Sequence, residues 1–382
     1  MRSVNSGGQT AVEKNRKMNN RNTQLELNPD DSSGTGITGP SAFYDFIIEH
    51  IKKENRRTLY SDDFSMRIAE RAVRLVFTGP ELRSYFTAAF KHIECDAGRD
   101  FTLTVFCLEA GKKFMENAFS LIPGGYFSGN ERDIPFLIRD GITIALGREG
   151  STMSILNIRE RNAVYLFADL AELPYYEQGS PFRNIFQWWF NGKESTMLHS
   201  GAVSLNGRAL LISGRGGSGK STISLSCLMN GKDYLGDDYV VVSDKKDITV
   251  SSLYNSVKLT RDSFKRFPGI QKLISNPGFS EDEKGVIFLR ETSGGKVIPE
   301  SLLKGIIIPE ISGENDSSFK RISSAEGFRY LAPSTIFQHV GRRNDIAEFT
   351  GRLAKTLPCF KFYTGSDTAS ISKMVNAILQ EI

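Results

Sequence analysis

Residues 208–242, RALLISGRGGSGKSTISLSCLMNGKDYLGDDYVVV, decide the fold that we predict for this chain. The stretch opens with a short apolar run at 209–212, which predicts a buried strand. The next residues, 214–221, read GRGGSGKS and satisfy the pattern G-x-x-x-x-G-K-[ST] of phosphate-binding loops. Residues 221–229 predict a helix that ends at Asn230-Gly231. A second strand is predicted at 239–242, directly after the acidic pair Asp237-Asp238.

The residue types of this loop suit a bound triphosphate. Glycines let backbone N–H groups approach phosphate closely, and the following helix points its positive N-terminal end at the anion. Lys220 is expected to reach the β- and γ-phosphates, and the Ser221 hydroxyl is expected to ligate Mg²⁺. Asp237 and Asp238 add the carboxylate oxygens that Mg²⁺–phosphate sites use. The predicted nucleotide-binding residues are Gly214, Arg215, Gly216, Gly217, Ser218, Gly219, Lys220, Ser221 and Thr222.

Composition limits the other possibilities. The 382 residues have room for two domains and a tail, and an apolar content of 40% supports real cores. A net charge of +4 is too small to favour nucleic-acid binding. The four cysteines lack metal-site or disulfide spacing, which fits a reducing compartment. No apolar run is long enough to span a membrane, and the first residues contain no apolar signal core. We therefore expect a cytoplasmic protein.

The first half of the sequence predicts a tail and an α+β domain. Residues 1–40 are polar and are predicted to be a disordered tail. Residues 41–190 are predicted to form the α+β domain, with a turn at Asp140-Gly141 and no catalytic motif. Its predicted helices are at 41–52, 80–90 and 185–190, and its predicted strands are at 74–77, 101–108, 136–138, 142–146, 154–158 and 163–167.

Residues 191–382 alternate between strand and helix patterns, which predicts an α/β domain with a sheet covered by helices. A strand at 198–205 should pair with 209–212 through the turn Asn206-Gly207. Lys258 and Tyr254 are interpreted as surface residues of a strand rather than as contacts to phosphate or acceptor. No apolar strand is expected to end at the acidic pair. Residues 250–259 are predicted to be a short strand or a strand and a turn. The other predicted strands are 285–289, 302–309 and 359–363, and the other predicted helices are 261–267, 325–331, 346–356 and 371–382.

Three pieces of this half resemble a known family. LHSGAV at 198–203, GRGGSGKST at 214–222 and YLGDDYVVV at 234–242 together resemble the catalytic domain of HPr kinase/phosphorylase. They are more similar to the bacterial HPr-kinase-like serine kinases, some of which sit in natural-product clusters and phosphorylate peptides. SLYNSVKL and LAPSTIFQ, further along, also resemble that group. The resemblance covers the chain from Asn191 onward and implies a P-loop kinase fold related to phosphoenolpyruvate carboxykinase.

The resemblance also implies roles for single residues. His199 occupies the place of a histidine that lies close to the phosphates. Asp238 corresponds to the general base, and Asp237, with Ser221, to a Mg²⁺ ligand. Arg215 stands where classical HPr kinases have an aspartate, and the signature tied to their phosphorylase reaction is matched only superficially by LKGIIIPEI at 303–311. Classical relatives form rings of subunits, which implies a possible homo-oligomer.

The leading hypothesis is a kinase that uses ATP and Mg²⁺. It would transfer a phosphoryl group to a hydroxyl, preferentially of serine, in a protein, peptide or small-molecule acceptor. The alternative is an ATP-binding regulatory or assembly module without phosphotransfer, and a third possibility is a P-loop ATPase. The acidic pair and His199 favour chemistry, since a binding module needs only the loop. The catalytic residues predicted on this basis are Asp238, His199 and Lys220.

Overall fold

The computed structural model of the chain describes residues 39–57, 62–96, 102–121, 136–147, 150–289, 296–339, 341 and 343–382. Within these ranges helices and strands mix throughout, so the prediction of an α/β chain is confirmed. Residues 1–38 of the predicted tail at 1–40 lie outside the described residues. The last residue of that tail, Pro40, begins the first described helix. No helix in the described part is long and apolar enough to cross a membrane.

Helices are interspersed with strands along both halves of the described chain. The helices are α1 (Pro40–Arg57), α2 (Pro80–Thr87), α3 (Lys112–Leu121), α4 (Tyr175–Gly179), α5 (Arg183–Phe190), α6 (Lys220–Met229), α7 (Arg261–Phe264), α8 (Ser324–Ile336), α9 (Arg343–Thr356) and α10 (Thr368–Glu381). The strands are β1 (Asp62–Ile68), β2 (Arg71–Phe77), β3 (Leu103–Glu109), β4 (Phe136–Arg139), β5 (Ile142–Leu146), β6 (Thr152–Asn157), β7 (Asn162–Phe167), β8 (Ser195–Leu198), β9 (Ser200–Leu205), β10 (Arg208–Ser213), β11 (Asp233–Gly236), β12 (Val240–Asp244), β13 (Ile248–Ser252), β14 (Ser256–Leu259), β15 (Gly285–Phe288), β16 (Glu300–Ile311), β17 (Ser318–Ile322) and β18 (Cys359–Thr364). A 3₁₀ helix, Ala88–Ile93, continues α2.

The first seven strands form one mixed sheet in the order β1-β2-β3-β7-β6-β5-β4. β3 runs parallel to both β2 and β7, and the other neighbours are antiparallel. The hairpin between β4 and β5 turns at Asp140-Gly141, as predicted. Both turn residues have positive φ, 57° and 84°, as a type I′ turn requires.

The second sheet has the order β11-β9-β10-β16-β13-β12-β8, and β18 pairs with β16 and β17. The predicted hairpin of β9 and β10 is confirmed, with positive φ at Asn206 and Gly207. β10 runs parallel to β16, which runs parallel to β18, so the carboxyl ends of these three strands meet at one edge. Helices α8 and α9 cover one face of this sheet, and α6 and α10 cover the other. β14 and β15 form a separate hairpin.

One hydrophobic cluster joins the two halves of the chain. Phe86 and Phe90, which pack on the first sheet, share this cluster with Phe182, and also with Tyr239 and Tyr254 of the second half. All five side chains are at most 3% exposed. Buried aromatic rings remove large apolar areas from water and therefore contribute strongly to the stability of a core. The second half therefore packs on the first through a continuous apolar core.

The strand predicted at 198–205 is present from residue 200 onward but does not include Leu198. The chain forms β8 and β9 instead, which pair with different neighbours, and His199 lies between them. The reason is that the backbone N–H of His199 donates to Thr335 Oγ1 at 3.1 Å, outside the strand ladder. Residues 250–259, predicted as a strand or as a strand and a turn, form two strands, β13 and β14, with three residues between them.

The expectation that no strand ends at the acidic pair is wrong. β11 ends at Gly236, directly before Asp237, and its Tyr234 and Leu235 are fully buried. β11 has only two apolar residues, between Asp233 and Gly236, which are too few to show a hydrophobic periodicity. Helix α8 runs through Pro333 to Ile336, beyond the predicted end at 331. The patterns also missed β1, α3 and β17.

Candidate functional site

The glycine loop, residues 214–219, joins the carboxyl end of β10 to the amino end of α6. It lies beside the carboxyl ends of β16 and β18. If Gly214 had a Cβ atom, that atom would lie 3.6 Å from Pro309 Cδ, and a Cβ atom at Gly219 would lie 3.5 Å from Thr364 Oγ1. Gly219 has φ 106°, which favours glycine. Ligands of open α/β sheets commonly bind at this edge.

The outer part of the loop is open to solvent. Arg215, Gly216 and Gly217 are exposed, and a Cβ atom at either of these glycines would meet nothing within 4 Å. Ser218 is half-buried, and its Oγ has no hydrogen-bond partner among the described residues. Thr222 is half-buried in the first turn of α6. The backbone of the loop is therefore accessible to a ligand from its outer side.

Lys220 reaches across the inner side of the loop. Its side chain is buried, and Nζ donates to the carbonyl oxygens of Gly214 at 2.7 Å and Arg215 at 3.4 Å. Burial lowers the pKa of Lys220, and the charges of Asp238 and Asp237 oppose that effect. The ammonium therefore lies between the loop and the acidic pair.

Asp237, which follows β11, is 4% exposed. Its Oδ2 accepts from the backbone N–H of Lys258 at 3.5 Å, and the side chain of Ser221 is near enough to stabilise the carboxylate. Oδ1 is buried and has no hydrogen-bond partner among the described residues. Burial, and then the charge of Asp238, raise the pKa of Asp237, while Ser221 and Lys220 oppose the increase. A buried carboxylate oxygen without a partner is costly, so it marks a place that suits a cation.

Asp238 lies between two basic side chains. Its Oδ1 is 3.0 Å from His199 Nε2, and its Oδ2 is 2.5 Å from Lys258 Nζ. Its side chain keeps 27% of its surface exposed, so it remains open to an incoming group. Burial acts to raise the pKa of Asp238, but Lys258 and His199 outweigh burial and hold that pKa well below its usual range. Asp238 is therefore a carboxylate at neutral pH.

His199 is fixed from both sides of its ring. Nδ1–H donates to the backbone carbonyl of Ser334 at 2.9 Å, and Nε2 faces Asp238. The hydroxyl of Ser334 is 3.0 Å from that of Ser213, the residue before the glycine loop. The ring also lies 5.3 Å from the ring of Tyr239. α8 thus connects the histidine with the start of the loop.

The interpretation of Lys258 and Tyr254 as strand-surface residues is wrong. Lys258 is 9% exposed and Tyr254 is 2% exposed. Besides Asp238, Lys258 Nζ contacts Ser180 Oγ at 2.9 Å. In β14 the polar residues Ser256 and Lys258 alternate with two apolar residues. This alternation separates the two faces of the strand, but it does not show whether the face with Ser256 and Lys258 is buried. Tertiary contacts with residues far away in the sequence decide that.

The structure therefore brings Lys220, Ser221, Asp237, Asp238 and His199 to one edge of the second sheet and adds Lys258 to them. Carboxylates, a hydroxyl and three basic side chains converge there. Such a set can hold a polyanion and a divalent cation, and it can orient a hydroxyl next to a carboxylate. Among the described residues no three His, Cys, Asp or Glu side chains form a metal cluster. Mg²⁺ that shares its ligands with phosphates needs only one or two carboxylates.

Comparison with known proteins gives one weak structural match. No family model matches the chain, and no curated protein matches it. Among solved structures, the chain is similar to the Hpr(Ser) kinase/phosphatase from Coxiella burnetii, with 12% identity and a TM-score of 0.28. The match covers 49% of this chain and 97% of that one. Function is therefore argued from the side chains of this site.

Proposed function

We propose that this chain is a kinase that uses ATP and Mg²⁺ and transfers the γ-phosphoryl group to a hydroxyl. The observation that carries the proposal is the position of Lys220. Its ammonium lies against the glycine loop and within electrostatic reach of both Asp237 and Asp238. A phosphate held by the loop would thus face the acidic pair. The acceptor is a protein, a peptide or a small molecule, with serine as the preferred hydroxyl.

The glycine loop and α6 would bind the phosphates of ATP. Backbone N–H groups of the loop and the positive end of the ten-residue helix α6 favour an anion at this position. Lys220 would exchange its contacts with the carbonyls of Gly214 and Arg215 for phosphate oxygens. A lysine that is already buried loses little further hydration when it makes that exchange, which favours binding.

Asp237 and Ser221 are the side chains that fit Mg²⁺. They supply one carboxylate and one hydroxyl oxygen, and Asp237 Oδ1 is buried without a partner among the described residues. Oxygen ligands of this kind are what the ion prefers. When bound, Mg²⁺ would neutralise charge on the phosphates of ATP.

Asp238 would receive the acceptor hydroxyl. As the acceptor oxygen bonds to the γ-phosphorus and the bond to the β–γ bridging oxygen breaks, the hydroxyl proton passes to Asp238 and ADP leaves. A carboxylate with so low a pKa is a weak base. Its main contribution is therefore to orient the hydroxyl, and it takes the proton late, when the P–O bond has made the hydroxyl strongly acidic.

The test follows the γ-phosphoryl group of labelled ATP with Mg²⁺, in the presence of soluble extract from the source of the protein. We expect label in one acceptor fraction. Asp238→Asn should lower transfer by at least about 100-fold, the range typical of acid–base groups, and keep ATP affinity. Lys220→Ala should weaken ATP binding itself. Label found only in free phosphate would support an ATPase instead, and tight binding without turnover would support a regulatory module.

A further inference from the structure

The segment that carries Lys258, residues 252–258, pairs with β15 in the second half of the chain and also forms a series of hydrogen bonds with the first half. Two pieces of that half contact it: the 3₁₀ helix Ala88–Ile93 and the bend at residues 179–181. Asn255 N–H donates to the carbonyl of Ala89 at 2.9 Å, and its side-chain amide donates to that of Ala88 at 3.1 Å. A hydrogen bond also joins His92 Nε2 and Ser252 Oγ at 2.7 Å.

The bend at 179–181 contacts the other half of the segment. The hydroxyl of Tyr254 donates to the carbonyl of Pro181 at 2.8 Å, and the hydroxyl of Ser256 donates to that of Gly179. Ser180 Oγ accepts from Lys258 Nζ at 2.9 Å. The Asn255, Tyr254 and Ser256 side chains are at most 4% exposed, so these bonds form in a low-dielectric interior where each one is strong.

Space is equally restricted around Lys258. A Cβ atom at Gly179 would lie 3.3 Å from Lys258 Cδ. The aliphatic part of the lysine therefore runs directly over this glycine. Within the described part of the chain, its ammonium contacts two polar side chains, Ser180 on one side and Asp238 on the other. Removing Ser180 Oγ would leave the position of the ammonium to Asp238 alone.

We propose that Lys258 is a positioning residue for Asp238, and that the first half of the chain acts in catalysis by holding Lys258 in place through Ser180 and Tyr254. This inference rests on the proposed function, because Asp238 orients the acceptor there. It assigns a role to residues 41–190, in which the sequence shows no catalytic motif. The acceptor side of the reaction, and not nucleotide binding, depends on these contacts.

The chain offers a matched control for this contact. Lys232 is also buried, at 7% exposure, and its Nζ also donates to a buried serine, Ser372. That pair lies at the carboxyl end of α6, away from the acidic pair at its amino end. The same substitutions can therefore be made in two lysine–serine pairs, of which only one contacts Asp238.

The experiment compares Lys258→Met, Ser180→Ala and their double variant with Lys232→Met and Ser372→Ala, all in the full chain. We expect Lys258→Met to lower kcat roughly tenfold or more, equivalent to about 1.4 kcal/mol, with the KM for ATP within about twofold of wild type. Ser180→Ala should lower kcat about threefold, and it should have no further effect once Lys258 is methionine. The control pair should leave kcat unchanged. Multiplying effects of Ser180→Ala and Lys258→Met, or a change in ATP affinity alone, would overturn the proposal.

A second readout needs no turnover. Slowly exchanging ammonium groups of buried lysines give ¹⁵N–¹H signals, and the signal of Lys258 is assigned by its loss in Lys258→Met. Ser180→Ala and Tyr254→Phe should speed hydrogen exchange at this ammonium and leave that of Lys232 unchanged. An unchanged Lys258 signal in both variants refutes the positioning role. A wild type that binds ATP and never transfers phosphate refutes the proposed function instead, so the two failures are distinguishable.

Discussion

The pH dependence of folding stability tests the contact between β8 and His339, which lies three residues after the end of α8. This side chain is 4% exposed, and its Nε2–H donates to the carbonyl of Met197 at 2.9 Å. Burial lowers the pKa of His339 from 6.5 to about 4, although the bond to Met197 acts in the other direction. The unfolded chain therefore binds more protons than the folded chain between pH 6.5 and 4. Stability must fall as the pH falls through that window.

The magnitude follows from the two pKa values. They differ by about 2.5, and each unit corresponds to about 1.4 kcal/mol, so the folded state loses about 3 kcal/mol between pH 7 and pH 4 because of His339. Carboxyl groups also titrate in this range, so the wild type must be compared with a variant at each pH. His339→Gln suits this purpose because it keeps a donor for Met197 and does not titrate.

The assay is urea unfolding at pH 7, 6, 5 and 4. We expect the stability of the wild type relative to His339→Gln to decrease steadily with falling pH, by about 3 kcal/mol in total. A relative stability that stays constant within about 0.5 kcal/mol over the whole range would falsify the assignment of a buried, neutral histidine at this contact.

Two further predictions concern packing. Gly201→Ala would place a Cβ atom 2.9 Å from both the carbonyl oxygen of Gly236 and Ser224 Oγ, so thermal unfolding should show a loss of about 1–3 kcal/mol. Gly278→Ala, where a Cβ would meet nothing within 4 Å, is the control and should change stability by less than about 0.5 kcal/mol; equal effects would contradict the contact. Phe182→Ala removes a fully buried ring of the core cluster that joins the two halves, and should cost about 3–5 kcal/mol in urea unfolding. A cost below about 1 kcal/mol would mean that the two halves do not share this core.

Local chemistry made part of the fold predictable. The strand, the glycine loop and the start of α6 follow each other within twenty residues, and the turns at Asn206-Gly207 and Asp140-Gly141 need only residues that tolerate positive φ. The apolar composition of strands that are buried in a sheet, such as β16 and β18, also predicts them. For such elements the residues of one short window decide the outcome.

The missed strands have a physical reason in common. β1, DDFSMRI, and β17, SFKRI, contain charged residues and lie at sheet edges or beside solvent. Edge strands often carry charge, because it prevents pairing with other chains, and the charge weakens the apolar pattern. β11 failed for a different reason. It has only two apolar residues, and it becomes a strand by pairing with β9.

The candidate site was predictable only as far as its residues are neighbours in sequence. Lys220 and Ser221 belong to the loop motif, and the acidic pair follows within twenty residues. His199 and Lys258 are placed by distant contacts instead, one through Ser334 and the other through Ser180. A pattern confined to a short window of the sequence cannot show contacts between residues that are so far apart in the chain. A resemblance to a family suggested His199. The alternation of polar and apolar residues in β14 did not indicate that Lys258 is buried.

The orientation of His199 follows from how α8 ends. The last four carbonyls of a helix lack N–H partners within it, and Ser334 lies in the last turn. The N–H groups of Phe337 and Gln338 turn back to Pro333 and Thr335, so the imidazole of His199 can satisfy the carbonyl of Ser334. Because a helix carries partial negative charge at this end, it favours a ring with a proton on Nδ1. Nε2 must then point away from the helix, which is the direction of Asp238. The continuation of α8 past Pro333, which the sequence argues against, is therefore what aims the histidine at the carboxylate.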